Sequence, residues 1–386
     1  MKHYPPAFYR LCAAALLFFL SFNLVIPELS SMLKDLNAHE YLGWIIPAFS
    51  ISALIARPLS GWLTDNIGRR STMILGAAFC IIAGLFYPLI GSITAFLLVR
   101  AVHGFSTGFT PTGFTTYTAD IIPESHRGRA MGWLGMFNNA GSSLGYGLGA
   151  LIALHFGRNQ MFWFSSLLGI AALIIFWTLP ETVQSSSKRK FEFKASSLLY
   201  LPAWKSSLLM LLVCISLGSI LTIMPDYTTS LGFKNKGVFL TVYIAFSLLV
   251  RLLSGKISDS LGRPYSTAIG AVFQIISMLF LLFPVFSVGY SFYLSAAFYG
   301  IGQGFNAPSL FAWASDVATP ENRGKALSTI FIALETGVII GGLMAGKIIT
   351  QWKLSYDWVF GMNLATFVLS LLFSLIFIAK IRSNQR

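Results

Sequence analysis

Charge is scarce in this sequence. Only 11% of its 386 residues are Asp, Glu, Lys or Arg, whereas roughly a quarter of a soluble domain is charged. Cysteine and histidine are also few, at three and five residues. Cys12, Cys80 and Cys214 lie within apolar runs, which predicts packing roles, and no Cys–His spacing resembles a metal site. We therefore expect no metal, no cofactor and no water-soluble globular protein.

Long apolar segments are abundant instead. Stretches of about 20 residues, the length that crosses ~30 Å of hydrocarbon, recur along the whole chain. They predict an all-α integral membrane protein with twelve transmembrane helices, the first of them retained rather than cleaved as a signal peptide. The predicted spans are 8–27, 41–62, 71–90, 92–119, 130–154, 161–179, 206–225, 237–256, 267–286, 290–314, 326–350 and 357–379.

The distribution of cations predicts the orientation. Most of the 27 Lys and Arg fall on the side that carries both termini, the loops with Arg69, Arg127 and Arg263, and the basic segment 181–205. The positive-inside rule then places both termini in the cytoplasm. The absence of an Asn-x-Ser/Thr sequon fits a bacterial cytoplasmic (inner) membrane. The net charge of +13 is explained by this topology, and no nucleic-acid partner is expected.

One charged segment occurs twice. The segment RPLSGWLTDNIGRR (57–70) aligns with RLLSGKISDSLGRP (251–264), and half of the aligned residues are identical. IPELSSML (26–33) likewise matches MPDYTTSL (224–231), and PESHRGRAMG (123–132) matches PENRGKALS (320–328). Two parallel repeats of six helices follow: an N-terminal bundle over 1–180, a cytoplasmic linker over 181–205 and a C-terminal bundle over 206–386.

The repeated segment resembles the signature of the major facilitator superfamily between its second and third helices, and the second copy lies between helices eight and nine. The resemblance covers essentially the whole chain and implies that fold, with transport by alternating access. The family usually has a basic residue after the Asp, where this chain has Asn66 and Ser260. The residues assigned to a cytoplasmic gate are Arg57, Gly61, Asp65, Gly68, Arg69, Arg251, Gly255, Asp259, Gly262 and Arg263.

The gate prediction has a physical basis. Asp65 and Arg69 can pair with each other, with helix ends or with a neighbouring loop. Such pairs would hold one side shut and break when that side opens, while the glycine before the Asp would permit close helix packing. The alternative is that these charges only mark the membrane boundary.

Arg100 and His103 have no equivalent in the second repeat. A charge in the bilayer interior costs at least ~2.5 kcal/mol, so an intramembrane Arg indicates function. The stretch RAVHG resembles the Arg-x-x-Gln-Gly signature in helix four of proton-coupled members, with His103 in place of Gln. Alternatively, Arg100 bonds carbonyl groups at helix ends.

A glycine series marks the fifth span. It resembles the antiporter motif of the family's exporters but lacks its Gly–Pro step, and it implies a ridge packed against the other half. Generic small-residue packing is the alternative. The ridge consists of Gly132, Gly141, Gly145, Gly147 and Gly149.

Glu335 is predicted to carry the proton, with Arg100 and His103. It lies near the middle of the eleventh span among apolar residues, where burial disfavours a charged carboxylate. It could instead be a counter-ion for Arg100 or bind a cationic substrate. By analogy with the family, a cavity would be lined by Asn23, Glu28, Tyr117, Asn138, Tyr146, Tyr299, Gln303 and Asn306.

The sequence thus predicts a secondary transporter similar to the twelve-span drug/proton antiporters. Its expected partners are a small organic substrate, protons and the bilayer, and we expect it to act as a monomer. The alternative is a proton symporter or uniporter that imports a sugar, carboxylate or other nutrient. An enzyme is disfavoured because no catalytic triad or extramembrane domain is evident, and a receptor because signalling needs no internal repeat.

Overall fold

The computed structural model describes residues 4–182, 199–285, 287–319 and 322–383. Within these ranges the regular structure is helical and contains no β-strand. Twelve long helices match the predicted spans, and a short one, α2, follows the first, so the predicted fold class is confirmed. The helices are α1 (Pro6–Leu24), α2 (Leu29–Asp35), α3 (Ile45–Asn66), α4 (Arg69–Phe86), α5 (Ile93–Ile121), α6 (Glu124–Phe156), α7 (Arg158–Trp177), α8 (Trp204–Ser230), α9 (Val238–Leu261), α10 (Arg263–Leu282), α11 (Val288–Asp316), α12 (Arg323–Gly346) and α13 (Tyr356–Ser383).

Not all of these helices are equally apolar. In the described part of the chain, eight helical segments are long and apolar enough to cross a membrane, and α9 makes a ninth if its two bent parts are taken together. The three helices that remain, α5, α6 and α11, are richer in glycine and polar side chains. They contain most of the residues predicted to bind substrate or to couple protons.

The contacts divide the described chain into two units. Unit 1 contains the described residues up to His39, those from Ala48 to 182, and the segment Lys234–Thr241. Unit 2 contains Glu40–Pro47, the described residues from 199 to Phe233, and the chain from Val242 onward. Each unit therefore includes one short segment from the other half of the sequence. The predicted boundaries at 180 and 206 stay a prediction, because most of the linker lies outside the described residues.

The two units share one set of helix pairs. In unit 1, α1 packs against α6 and α7, and α4 packs against α5 and α7. In unit 2, α8 packs against α12 and α13, and α10 packs against α11 and α13. The internal repeat read from the sequence is thus a repeat of packing as well.

Glycine makes the turn between α3 and α4 possible. Gly68 lies between the two helices with φ of +135°, and its repeat equivalent Gly262 has φ of +102° between α9 and α10. Side chains with a Cβ rarely adopt such angles. The glycine ahead of each repeated Arg therefore sets the direction of the helix that the Arg begins.

The glycine ridge of α6 faces α1 of the same unit. A Cβ added at Gly141, Gly145 or Gly149 would overlap carbonyl oxygens of α1 spaced four residues apart. The prediction of a partner in the other half is therefore wrong for these three residues. Close backbone approach through small residues is the usual basis of helix association in membranes.

The other two glycines of the series do not contact α1, and α12 of unit 2 contains glycines that correspond to the ridge. Gly147 faces the Thr241 side chain, whereas a Cβ at Gly132 would meet nothing within 4 Å. In unit 2, Gly337 and Gly341 of α12 lie against carbonyl oxygens of α8. Glycines therefore bring two helices of the same unit into close contact in both units, α6 with α1 and α12 with α8.

Alanine at two glycines of α6 should shift stability in opposite directions. Gly149→Ala puts a methyl group against the Leu24 carbonyl, and such overpacking costs about 1–3 kcal/mol. Gly135→Ala meets nothing within 4 Å and should gain up to about 1 kcal/mol in helix propensity. Thermal unfolding of the purified protein in detergent measures both, and shifts of the same sign would contradict the close approach.

Candidate functional site

Arg69 is the centre of an ion-pair cluster at the start of α4. Its Nε donates to Oδ2 of Asp120, at the end of α5, over 2.9 Å. Its Nη1 lies 3.5 Å from Asp65 and donates to the carbonyl oxygen of Thr64 over 2.6 Å. One guanidinium thus joins the end of α3 to the end of α5, and Asp120 is its shorter and less exposed partner.

The same cluster occurs in unit 2. Arg263 Nε donates to Asp316, at the end of α11, over 2.7 Å, and Nη1 donates to Asp259 and to the Ser258 hydroxyl. Among the predicted gate residues, the structure therefore brings together the Asp and the Arg of each repeat. The acid at the end of the following long helix completes the set.

Unit 1 adds a cap that the sequence analysis missed. Glu181, just after α7, accepts a hydrogen bond from the backbone N–H of Arg69 over 2.9 Å, and Thr182 donates to Asp120 over 2.6 Å. A carboxylate at a helix N-terminus is favoured by the helix dipole. The signal was present in the sequence as an acid and a hydroxyl directly after the sixth apolar span.

Other predicted gate residues have different surroundings. A Cβ at Gly61 or Gly255 would meet nothing within 4 Å, so the predicted close packing at these glycines is wrong. Arg57 and Arg251 lie two helical turns, about 12 Å, before Asp65 and Asp259. Neither arginine takes part in the ion pairs around Arg69 and Arg263.

Arg100 lies at the centre of a second, fully buried cluster in unit 1. Its Nη1 donates to the Tyr87 hydroxyl over 3.3 Å, and its Cζ lies 4.9 Å from the centre of the Phe49 ring. The Tyr87 hydroxyl is 3.2 Å from Nδ1 of His103, whose Nε2 is 3.5 Å from the Cys80 thiol. The structure thus joins the two residues of the RAVHG signature through a tyrosine and extends the chain to a cysteine.

The corresponding place in unit 2 has other chemistry. Gly104 of α5 packs against the backbone of Phe49, and Gly300 of α11 packs against the backbone of Tyr243. His103 and Tyr299 directly precede these two glycines in the sequence. Tyr299 packs edge-on against Tyr243 with ring centres 5.3 Å apart, and its hydroxyl accepts a hydrogen bond from Nε2 of Gln303 over 3.4 Å. Where unit 1 has the Arg100 guanidinium and the His103 imidazole, unit 2 therefore has two tyrosine phenols and the amide of Gln303.

Asn306 pairs with a residue that the sequence analysis did not single out. Its Nδ2 donates to Oε1 of Gln274 on α10 over 2.7 Å, and both side chains are buried. Gln274 lies in the middle of α10, between Phe273 and Ile275. Comparison of the two repeats could have found it, because Cys80 and Gln274 occupy equivalent positions.

Glu335 is buried in unit 2, with 6% of its surface exposed. It lies on α12, which packs against α8. Two residues further on, Gly337 brings α12 against α8. The predicted proton carrier therefore lies beside a close approach of two helix backbones.

The remaining predicted cavity residues are distributed over unit 1. Asn23 bonds to Ser142 between α1 and α6, Tyr117 packs in the apolar core, and Tyr146 is buried with its carbonyl against Gly237. Asn138 is half-buried, and its Oδ1 has no hydrogen-bond partner among the described residues.

Glu28 pairs with a distant lysine. Its carboxylate lies 2.9 Å from Nζ of Lys236, which also donates to the Ser31 hydroxyl over 2.7 Å. Lys236 belongs to the short segment that the second half of the sequence contributes to unit 1. The role predicted for Glu28 in a cavity stays a prediction.

Comparison with known proteins gives consistent results. The model of the Major Facilitator Superfamily matches residues 11–294 and 237–385. Quinolone resistance protein NorA of Staphylococcus aureus (strain MSSA476) is 27% identical over 342 residues, covering 86% of this chain and 87% of that protein. Multidrug resistance protein 2 of Bacillus subtilis (strain 168) is 25% identical over 260 residues, covering 64% and 65%. The crystal structure of a D-xylose-proton symporter superposes with a TM-score of 0.75 at 17% identity, covering 95% of this chain and 96% of that one.

The two acids around Arg69 should differ in their effect on stability. Asp120 is 29% exposed and Asp65 is 70% exposed. Asp120→Asn should therefore lower the free energy of unfolding by about 1 kcal/mol, and Asp65→Asn by less than about 0.5 kcal/mol. Thermal unfolding at low salt measures the difference, and equal losses would show that Asp120 is not the dominant partner.

Proposed function

This chain belongs to the major facilitator superfamily, and we propose that it exports small amphiphilic organic molecules in exchange for protons. Membership of this family makes it a transporter of small molecules across a membrane rather than an enzyme. The names of the relatives, quinolone resistance and multidrug resistance proteins, support export as the direction. They also support amphiphilic aromatic compounds as the substrate class.

The buried acid Glu335 carries the proton-coupling part of the proposal. Its side chain is 6% exposed and lies on α12, two residues before the glycine at which α12 approaches α8. An ionisable side chain at such a position in a membrane-spanning helix indicates a functional site. A carboxyl group can bind and release one proton per transport cycle, which is the role that we assign to Glu335.

The buried cluster around Arg100 supports the same conclusion from unit 1. A guanidinium in the interior of a membrane protein marks a functional site. Tyr87 and His103 both carry groups that can donate and accept, so the chain from Arg100 to Cys80 can rearrange its hydrogen bonds when charge nearby changes. We assign this cluster to proton coupling together with Glu335.

The ion pairs of Arg69 and Arg263 support alternating access. They tie helix ends together at equivalent places in the two units, and they lie partly in water. Partly exposed ion pairs contribute about 0–1 kcal/mol, so they can break and form again in each cycle. By the positive-inside rule we place them and both termini in the cytoplasm of a bacterium, in a transporter that acts as a monomer.

Glu335→Gln should abolish substrate-driven proton movement. Purified protein would be reconstituted in liposomes that contain a pH-sensitive dye. A fluoroquinolone, tetraphenylphosphonium, a pentose and a carboxylate would be offered separately. We expect proton flux opposite to the flux of an aromatic or cationic compound, and loss of the proton flux in the variant.

Asp357→Asn is the matched control, because it removes an exposed carboxylate from α13 of the same unit. It should keep the native flux. Proton movement in the same direction as a pentose or carboxylate would instead establish an importer. Unchanged coupling in Glu335→Gln would refute the role of Glu335.

His103→Gln should keep transport within about threefold of the native rate, because an amide can also donate and accept one hydrogen bond. His103→Leu should leave the Tyr87 hydroxyl without its imidazole partner and reduce the rate more than about tenfold. The efflux rate of the fluorescent fluoroquinolone from loaded liposomes measures both. Equal rates for the two variants would show that hydrogen bonding by residue 103 is not needed.

A further inference from the structure

An apolar groove on the surface of unit 1 has no role in the proposed transport cycle. It has a volume of about 430 Å³ and lies where α3 ends, alongside the first part of α4 and the end of α7. Its apolar walls are formed by Leu63, Ile67, Ile74, Leu75, Ala78 and Trp177. Trp177 is 67% exposed, and Ile67 and Leu75 are also exposed. Such large apolar surfaces suit contact with lipid rather than water.

One cation also lines this groove. Arg70 lines it with Ser71, whereas the preceding Arg69 is occupied by Asp65 and Asp120. Arg70 donates from Nη1 to the Leu179 carbonyl over 3.4 Å. Its Nε is buried and has no hydrogen-bond partner among the described residues, and Arg70 forms no ion pair with a carboxylate described there. Much of its hydrogen-bonding capacity is thus available to a ligand.

The Glu181 carboxylate, just after α7, is engaged through one of its oxygens. Oε1 of Glu181 accepts hydrogen bonds from the backbone N–H groups of Arg69 and Thr182, over 2.9 and 3.0 Å. Its role is to cap α4. An anion that approached Arg70 from the groove would meet a cation and a hydroxyl, Ser71, at the first turn of a helix, where the helix dipole also favours negative charge.

The groove is long enough to hold part of one acyl chain. From Arg70 to Ala78 it follows α4 for about 12 Å, at 1.5 Å per residue. Its charged end lies where α3 stops, and we expect the boundary between hydrocarbon and water at this level because Asp65, Arg69 and Arg70 lie together there. Trp177 lies at the end of α7, and tryptophan is enriched at that depth of a membrane. The polar end would therefore meet head groups, and the apolar walls would meet acyl chains.

The second repeat does not have this arrangement. The equivalents of Arg70 and Ser71 are Pro264 and Tyr265, so unit 2 has neither the cation nor the small hydroxyl. The repeated framework does not require Arg70, since α10 begins at Arg263 without it. Arg70 is therefore an addition to the framework of unit 1.

We propose that this groove binds one anionic glycerophospholipid of the adjacent leaflet, with its phosphate on Arg70 and Ser71 and an acyl chain along α4 between Leu75 and Trp177. The binding site is independent of the transported substrate. Because Arg69 and Arg70 are neighbours, the bound lipid lies next to the ion pairs at the start of α4.

Native mass spectrometry of the full-length protein tests this site. The protein in detergent would be mixed with phosphatidylglycerol or phosphatidylcholine carrying the same acyl chains. We expect one retained phosphatidylglycerol and weaker retention of phosphatidylcholine. Arg70→Gln should reduce retention of phosphatidylglycerol about five- to tenfold, the effect of losing one basic contact, and Arg70→Lys should restore most of it.

Two further variants distinguish binding in the groove from attraction of the lipid to positive charge in general. Lys256→Gln removes an exposed cation of α9 in unit 2 and should leave retention unchanged. Ala78→Trp fills the groove without changing charge and should reduce retention, while its thermal unfolding shows that the protein still folds. Equal retention in native protein and Arg70→Gln, or full retention in Ala78→Trp, would overturn the proposal. Displacement of the lipid by millimolar inorganic phosphate would overturn it too, since a free anion would then suffice.

Discussion

Close contact between helix backbones is the constraint on which this structure depends. Lipid tails are as apolar as leucine side chains, so the hydrophobic effect does not hold helices together within the bilayer. Glycines of α6 against α1, and of α12 against α8, provide contact at a distance that no side chain would allow. The same arrangement brings together polar pairs that would be costly in hydrocarbon, such as Ser21 with Ser165 and Ser219 with Asn363.

The two repeats keep this framework and differ in what they bury within it. Equivalent glycines of α5 and α11 hold the neighbouring helices at equivalent positions, yet one site holds His103 and the other Tyr299. Cys80 and Gln274 differ in the same way. Packing constrains the backbone and therefore the small residues, whereas a buried side chain of similar volume can change if its hydrogen bonds are satisfied. The two repeats therefore share their packing and differ in the hydrogen-bonding groups buried within it.

The sequence predicted the features that depend on order along the chain. Hydrophobic length gave the twelve spans, and the matched segments identified Arg69 and Arg263 as equivalent residues. It failed where the answer depends on which helices become neighbours. The ridge of Gly141, Gly145 and Gly149 was recognised, but its partner was not, because glycine spacing defines a helix face and not the helix that faces it. The pairing of Glu28 with Lys236, more than 200 residues away, could not be predicted for the same reason.

The degree of burial separates two kinds of charge in this molecule. Around Arg69 and Arg263 water reaches every acid, so breaking a pair exchanges protein partners for solvent at little cost in free energy. Around Arg100 no solvent is available, and any loss of a partner must be compensated by another protein group. Ion pairs of the first kind can therefore separate and form again with little change in free energy, whereas a buried charge of the second kind can rearrange only by exchanging one protein partner for another.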